Sequence, residues 1–182
     1  MFFPLVFVLS LLSVACASKL DARQASNTNK QINSIVDGLD VTMHRAGPAI
    51  LTLMAQHKVN DNTIGEQMLE LGAAFAAADA ALARVPASSG STTVSPTNDD
   101  ISITYSDVMQ LLSSSLSGII RTGAVPQFPR MIAVLDPIIA KTSLQLNVTS
   151  PGSLVLVTRM MLDASQFFVA EGFNQTLVAL GF

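Results

Sequence analysis

The chain has little charge, little aromatic surface and almost no thiol. Of its 182 residues 13% are charged, one is Tyr, none is Trp, and Cys16 is the single cysteine. Each scarcity excludes a class of function. Ten Lys and Arg against thirteen Asp and Glu leave a net charge of -3, which excludes nucleic-acid binding through a basic, phosphate-neutralising surface. Without Trp and with one Tyr, stacking platforms for bases or sugars are scarce. A hydrophobic content of 49% with so few charges excludes disorder of the whole chain. Beyond the N-terminus no stretch of eighteen apolar residues runs without polar interruption, so no later segment is expected to span a membrane.

What is present begins with an apolar run from Leu5 to Val14, followed by the small-x-small triplet Ala15-Cys16-Ala17. The pattern predicts a signal peptide over 1–17, cleaved after Ala17, although Met1-Phe2-Phe3-Pro4 lacks a basic residue. A lipidated Cys16 is the alternative reading of the same triplet. Cleavage would leave 18–182 as a single secreted domain without any cysteine. Disulfide frameworks, thiol catalysis and Cys-ligated metals are then excluded. At about 150 residues a domain buries about 68–70% of its unfolded surface, enough to fold without staples.

The periodicity is helical. Ile32, Val36, Leu39, Met43, Ala46, Ile50, Leu53 and His57 alternate in steps of four and three, the mark of an amphipathic helix. Gly47-Pro48 interrupts it, and loss of the Pro48 donor predicts a kink or break, with segments at 28–46 and 48–58. Thr63 with Glu66 reads as a capping box for a helix bearing Ile64, Met68, Leu71, Phe75, Ala78 and Leu82. Its many alanines allow close approach of a neighbour. The segment 85–103, rich in Ser, Thr, Pro and Gly, reads as a solvated loop, either a spacer or a hinge or lid. Thr104 with Asp107 opens a helix through Val108, Leu111, Leu112, Leu116, Ile119 and Ile120, with Ser113, Ser114 and Ser117 outward and Gly123 as its C-cap. A further helix runs from about Pro126 to Leu146 with Pro137 as a second internal kink. Ser150-Pro151 opens the next, carrying Leu154, Val157, Met161, Ala164 and Phe168, with Gly172 before a short end at 175–180. The expectation is an all-α, up-and-down bundle of five or six helices, two of them kinked by proline.

Catalytic constellations are missing. His44 and His57 are the only imidazoles. Asp40 lies one turn before His44 and could orient it, yet zinc needs at least three protein ligands, and neither His-Glu-x-x-His nor His-x-x-x-His occurs. The pairs Glu66 and Glu70, and Asp99 and Asp100, read as a solvated helix face and a helix start. No Gly-x-Ser-x-Gly elbow, phosphate-cradling loop or EF-hand pattern is present. No enzyme activity, metal or cofactor is expected.

The remaining signal is apolar surface. Methionines at 43, 54, 68, 109, 131, 160 and 161 all fall in predicted helices, where a flexible thioether can re-pack around an acyl chain. Leu51, Leu69, Leu156, Leu162 and Phe167 lie off the main stripes, an excess that suggests a groove, cavity or sticky face. The candidate binding residues are Met43, Ile50, Met54, Met68, Phe75, Leu112, Leu116, Met131, Leu135, Met161 and Phe168. The helices around Pro48 and Pro137 are the candidate mouth or lid, with freed backbone groups available to a head group. Asn147-Val148-Thr149 and Asn174-Gln175-Thr176 are candidate glycosylation triplets in a eukaryotic host.

In layout, and in Leu135-Asp136-Pro137-Ile138-Ile139 with Leu144 and Leu146, followed by Asp163 and Phe167-Phe168-Val169-Ala170, the chain resembles the fungal hydrophobic surface-binding family, whose relatives include cell-wall galactomannoproteins. Gly47-Pro48 and the Glu171-Gly172-Phe173-Asn174 ending depart from that pattern. The resemblance implies a non-enzymatic protein, extracellular or wall-associated, whose partners are hydrophobic solids or lipid, with wall polysaccharide or secreted hydrolases as further partners. It brings no site residues beyond the apolar stripe. The rival reading is a structural wall or matrix glycoprotein without a small-molecule ligand.

Overall fold

A computed structural model describes residues 26–182, and the expected leader with Cys16 lies outside them. Among the described residues every regular element is a helix: α1 (Asn29–Ala55), α2 (Asp61–Leu82), α3 (Asn98–Leu116), the single turn α4 (Ile119–Thr122), α5 (Phe128–Thr149), α6 (Ser153–Met160), α7 (Ser165–Glu171) and α8 (Asn174–Leu180). The class is all-α. The eight segments exceed the expected five or six because glycines in the left-handed region and a sharp bend divide the second half of the chain.

Four long helices form the frame and alternate in direction. α2 returns antiparallel to α1, with Arg45 paired to Glu70. α3 runs parallel to α1, since Asn29 and Asn98 meet at their starts and Gly47 meets Ser115 farther along. α5 lies parallel to α2, where Gly65 faces Met131 and Gly72 faces Leu135 and Ile138. The main neighbours of α2 are α1 and α5, whereas α3 packs chiefly on α1 and α6. The chain between α2 and α3 therefore crosses the end of the bundle instead of making a simple hairpin.

That crossing segment, 83–97, is shorter than expected and is not a free spacer or a lid. Ser88 donates its N–H to the Thr149 carbonyl at 2.7 Å and its hydroxyl to Asn29 Oδ1 at 2.7 Å. Thr28 Oγ1 donates to the Pro86 carbonyl at 2.9 Å. These bonds satisfy polar groups that a buried crossing would otherwise orphan. The helix after it starts at Asn98, not Thr104. Thr97 caps it, its hydroxyl accepting the Asp100 N–H at 3.1 Å while the Asp100 carboxylate accepts the Thr97 N–H at 2.8 Å, a reciprocal box. Likewise α2 is boxed by Asn60 with Thr63 rather than by Thr63 with Glu66.

Gly47-Pro48 does not break α1. The helix is continuous because Met43, Ala46, Gly47 and Ile50 are buried on one face, and that packing outweighs the ~3 kcal/mol typical of an internal proline. Gly47 is where α3 comes close, an added Cβ falling 3.7 Å from Ser115 Cβ. The helix ends at Ala55, and His57 just beyond it has a φ of 54 that lets Lys58 N–H reach the Leu53 carbonyl, so His57 is an exposed residue closing the helix and not part of the stripe. Pro137 also lies inside a continuous helix.

The core is one cluster drawn from all the helices. The α2 stripe is buried residue for residue as expected. Ser113 is buried, contrary to expectation, and Ile120 is exposed. The predicted single helix from Ser150 to Phe168 starts instead at Ser153, after Gly152 at φ 86, and bends by 80° between α6 and α7. The bend allows Met161 and Phe168 both to be buried and sets Phe168 edge-on to Phe173 at 5.1 Å. Among the described residues no single helix is long and apolar enough to cross a membrane.

Two buried carboxylates anchor the C-terminal arm. Asp136 accepts the N–H groups of Gln175 and Thr176 at 2.8 and 2.7 Å, capping α8 from α5. Glu171 accepts the Gly118 N–H at 2.6 Å at the start of α4. Each negative charge faces a helix N-terminus, where backbone donors and the helix dipole favour it.

Candidate functional site

The seam between α2 and α5 opens into a surface groove of about 510 Å³. From α2 it takes Gly65, Met68, Leu69, Gly72 and Ala73, and from α5 Arg130, Met131, Val134, Leu135 and Ile138, with Gln127 from the N-cap of α5. Each set follows helical spacing and forms one face of its helix. Helical rise makes these faces about 12–16 Å long. The small residues on α2 create the space, an added Cβ at Gly65 standing 3.5 Å from Met131 Cε and at Gly72 3.8 Å from Ile138 Cδ1.

The chemistry of the groove is almost entirely nonpolar. Leu69 and Val134 form its rim and are 75% and 65% exposed. Covering an apolar side chain of that kind contributes about 1.5–3 kcal/mol. Gln127 and Arg130 stand together at one end, Arg130 Nη1 donating to Gln127 Oε1 at 3.2 Å. Nothing in the lining has the acid–base or nucleophile pairing that catalysis needs.

Of the candidate binding residues, Met68, Met131 and Leu135 line this groove. Met43, Ile50, Phe75, Leu112, Leu116, Met161 and Phe168 are fully buried in the core, and Met54 packs against it. Those eight sit in or against the core and away from the groove. Met68 and Leu135 of the buried stripes line the groove together with residues beside them, among which Leu69 is the off-stripe leucine that points there. Gly65, Gly72 and Val134 carry no signal in the sequence alone, since a small residue or an exposed valine marks a groove only once the facing helix is known. Leu51 and Leu162 are exposed, and Leu156 and Phe167 half-buried. Neither proline ring lines the groove, but the part of α5 around Pro137 contributes Val134, Leu135 and Ile138 to it, whereas the part of α1 around Pro48 contributes nothing. Pro48 borders a separate cleft between α1 and α2 with Thr52 and Glu66.

Both candidate glycosylation asparagines face solvent. Asn147 lies in the last turn of α5 and Asn174 opens α8.

A second polar feature lies where α1 and α3 run side by side. His44 Nδ1 is 3.1 Å from Asp40 Oδ1, and Nε2 is 3.8 Å from Asp107 Oδ2. Burial, reinforced by the charges of Asp107 and Asp37, pushes the Asp40 carboxyl above its usual range. The Asp40 carbonyl, then the Asp40 and Asp107 carboxylates, raise His44. The fold thus adds a third polar group to the Asp40–His44 pair seen in sequence. In α3 the buried Tyr105 phenol, pushed up by desolvation, stays neutral and shares a 2.7 Å hydrogen bond with Ser143 Oγ.

Compared with known protein families and with curated proteins, the chain matches none.

Proposed function

We propose that the protein is a secreted, non-catalytic binder of nonpolar ligands, holding a fatty-acyl chain or adsorbing to a hydrophobic surface through the α2–α5 seam. One observation carries this: two adjoining helix faces leave an open groove about the length of a medium acyl chain, lined by methionine and aliphatic side chains, with exposed Leu69 and Val134 on its rim. A concave, mostly apolar groove with a few polar groups at one end is the usual form of a nonpolar-ligand site. Methionine suits such a site because it adapts to chains of different shape. The resemblance to the fungal hydrophobic surface-binding family agrees with this reading, and so does the predicted leader.

Titration with a fluorescent fatty acid tests it. We expect saturable one-to-one uptake, weakened at least about tenfold by Val134→Asp, which places a charge on the apolar rim. Val178→Asp, on the exposed face of α8, should leave uptake unchanged. Equal uptake by both variants, or none by the parent chain together with no adsorption to alkyl-coated beads, overturns the proposal. Resistance of the protein to mild washing from the wall, joined to that second result, would favour the structural glycoprotein.

A further inference from the structure

The two ends of the α2–α5 groove differ in charge. Beyond Gly72 and Ile138 the seam is closed by polar bonds between the helices. Lys141 Nζ donates to Asp79 Oδ2 at 2.7 Å, and Thr142 Oγ1 donates to the Phe75 carbonyl at 3.1 Å. The only lysine of α5 is thereby neutralised, and the lining next to this end, Ala73 and Ile138, is nonpolar.

The other end carries a cation that nothing neutralises. Arg130, exposed in the first turn of α5, lines the groove, and among the described residues no carboxylate lies within ion-pair distance of it. The acids of the facing part of α2 are engaged elsewhere: Asp61 accepts the Gln127 backbone N–H at 2.9 Å, and Glu66 borders the separate cleft between α1 and α2. Arg130 Nη1 donates to Gln127 Oε1, an arrangement that leaves both hydrogens of Gln127 Nε2 for another acceptor. The positive end of the α5 dipole adds to the guanidinium.

We propose that the occupant of the groove is a single-chain carboxylate amphiphile, a free fatty-acid anion, with its carboxylate on Arg130 and Gln127 Nε2 and its tail running towards the Lys141–Asp79 pair. This rests on the nonpolar-ligand reading of the groove and adds to it the head group and the direction. Charge complementarity carries it: one unpaired cation stands at one end of an otherwise nonpolar trough, and the planar guanidinium fork matches two carboxylate oxygens. An uncharged lipid leaves Arg130 without a partner. A ligand turned end for end sets its charge against Ala73 and Ile138, where desolvation opposes it.

The test is calorimetric titration of the full chain with dodecanoate and with dodecanol, which share a tail and differ in the head. We expect saturable uptake of both, Arg130→Gln weakening dodecanoate about three- to tenfold and leaving dodecanol within about twofold. Arg130→Lys should keep part of the dodecanoate affinity, because the charge remains while the fork is lost. Arg84→Gln, at an exposed cation away from the groove, should change neither. In NMR spectra of the parent chain the terminal methyl of dodecanoate should contact Ala73 and Ile138. Uptake of dodecanol alone, an equal effect of Arg130→Gln on both ligands, no effect on dodecanoate, or terminal-methyl contacts to Met131 without Ile138 would each overturn the proposal and leave the nonpolar-ligand reading standing. Uptake of neither ligand overturns both.

Discussion

Asp136 is 5% exposed, yet its carboxylate holds the first N–H groups of α8. Removing it leaves the Thr176 N–H buried without a partner, and bonds to a charged acceptor are each worth about 1.5–3 kcal/mol. Asp136→Ala should therefore lower stability by about 2–3 kcal/mol in urea denaturation, with Asp136→Asn losing less because one acceptor oxygen remains. A loss below about 0.5 kcal/mol would show that the cap contributes little. The acid was visible in Leu135-Asp136-Pro137. Its task was not, because the donors it serves lie on another helix far along the chain. Asp40 and His44 divide in the same way, their pairing being local and Asp107 being brought by the fold.

At the scale of elements, local chemistry placed the helices and missed some of their ends. The Asn-Asp-Asp polarity of 98–100 made the first two turns of α3 look like loop, although Thr97 and Asp100 already had capping-box spacing. Asp100 also makes a pH prediction. Its carboxyl is held below the ordinary 3.8 by the Thr97 N–H, then by the Thr97 hydroxyl. With the folded value below the unfolded one, this group's contribution is complete at neutral pH and is lost as pH falls below about 4 through the folded value. Asp100→Asn should reduce the difference in urea midpoint between pH 7 and pH 3. An unchanged difference would rule out Asp100 as a source of acid sensitivity. Pro48 shows the opposite limit, a local breaker overridden by burial of the turn around it.

For the whole molecule, the crossing of 83–97 beneath the bundle sets which helices become neighbours. Asn29 is its main tie, accepting from Ser88 Oγ and donating from Nδ2 to the Pro96 carbonyl and Asn98 Oδ1 at 3.0 and 2.9 Å. Asn29→Ala takes the 2.7 Å acceptor from the Ser88 hydroxyl, the donor from the Pro96 carbonyl and one of two donors from Asn98 Oδ1, and should cost about 1–3 kcal/mol. Hydrogen exchange of the Ser88 and Asn98 amides should accelerate more than that of the α2 core. Uniform acceleration would mean that the junction opens only with the whole fold.

The sequence by itself determined the all-α class, the buried stripe of α2, most of the stripes of α1, α3 and α5, and the stop at Gly172, because a 3.6-residue period, a cap and a left-handed glycine act within a turn or two of chain. It also showed more apolar residues than the stripes required. Only the tertiary structure decided that α3 lies against α1, that Met43 and Phe168 are core while Leu69 and Val134 edge a groove, and that Asp107 meets His44. Those outcomes depend on which faces meet across long stretches of chain, and the burial gained there outweighs local preferences such as that of Pro48.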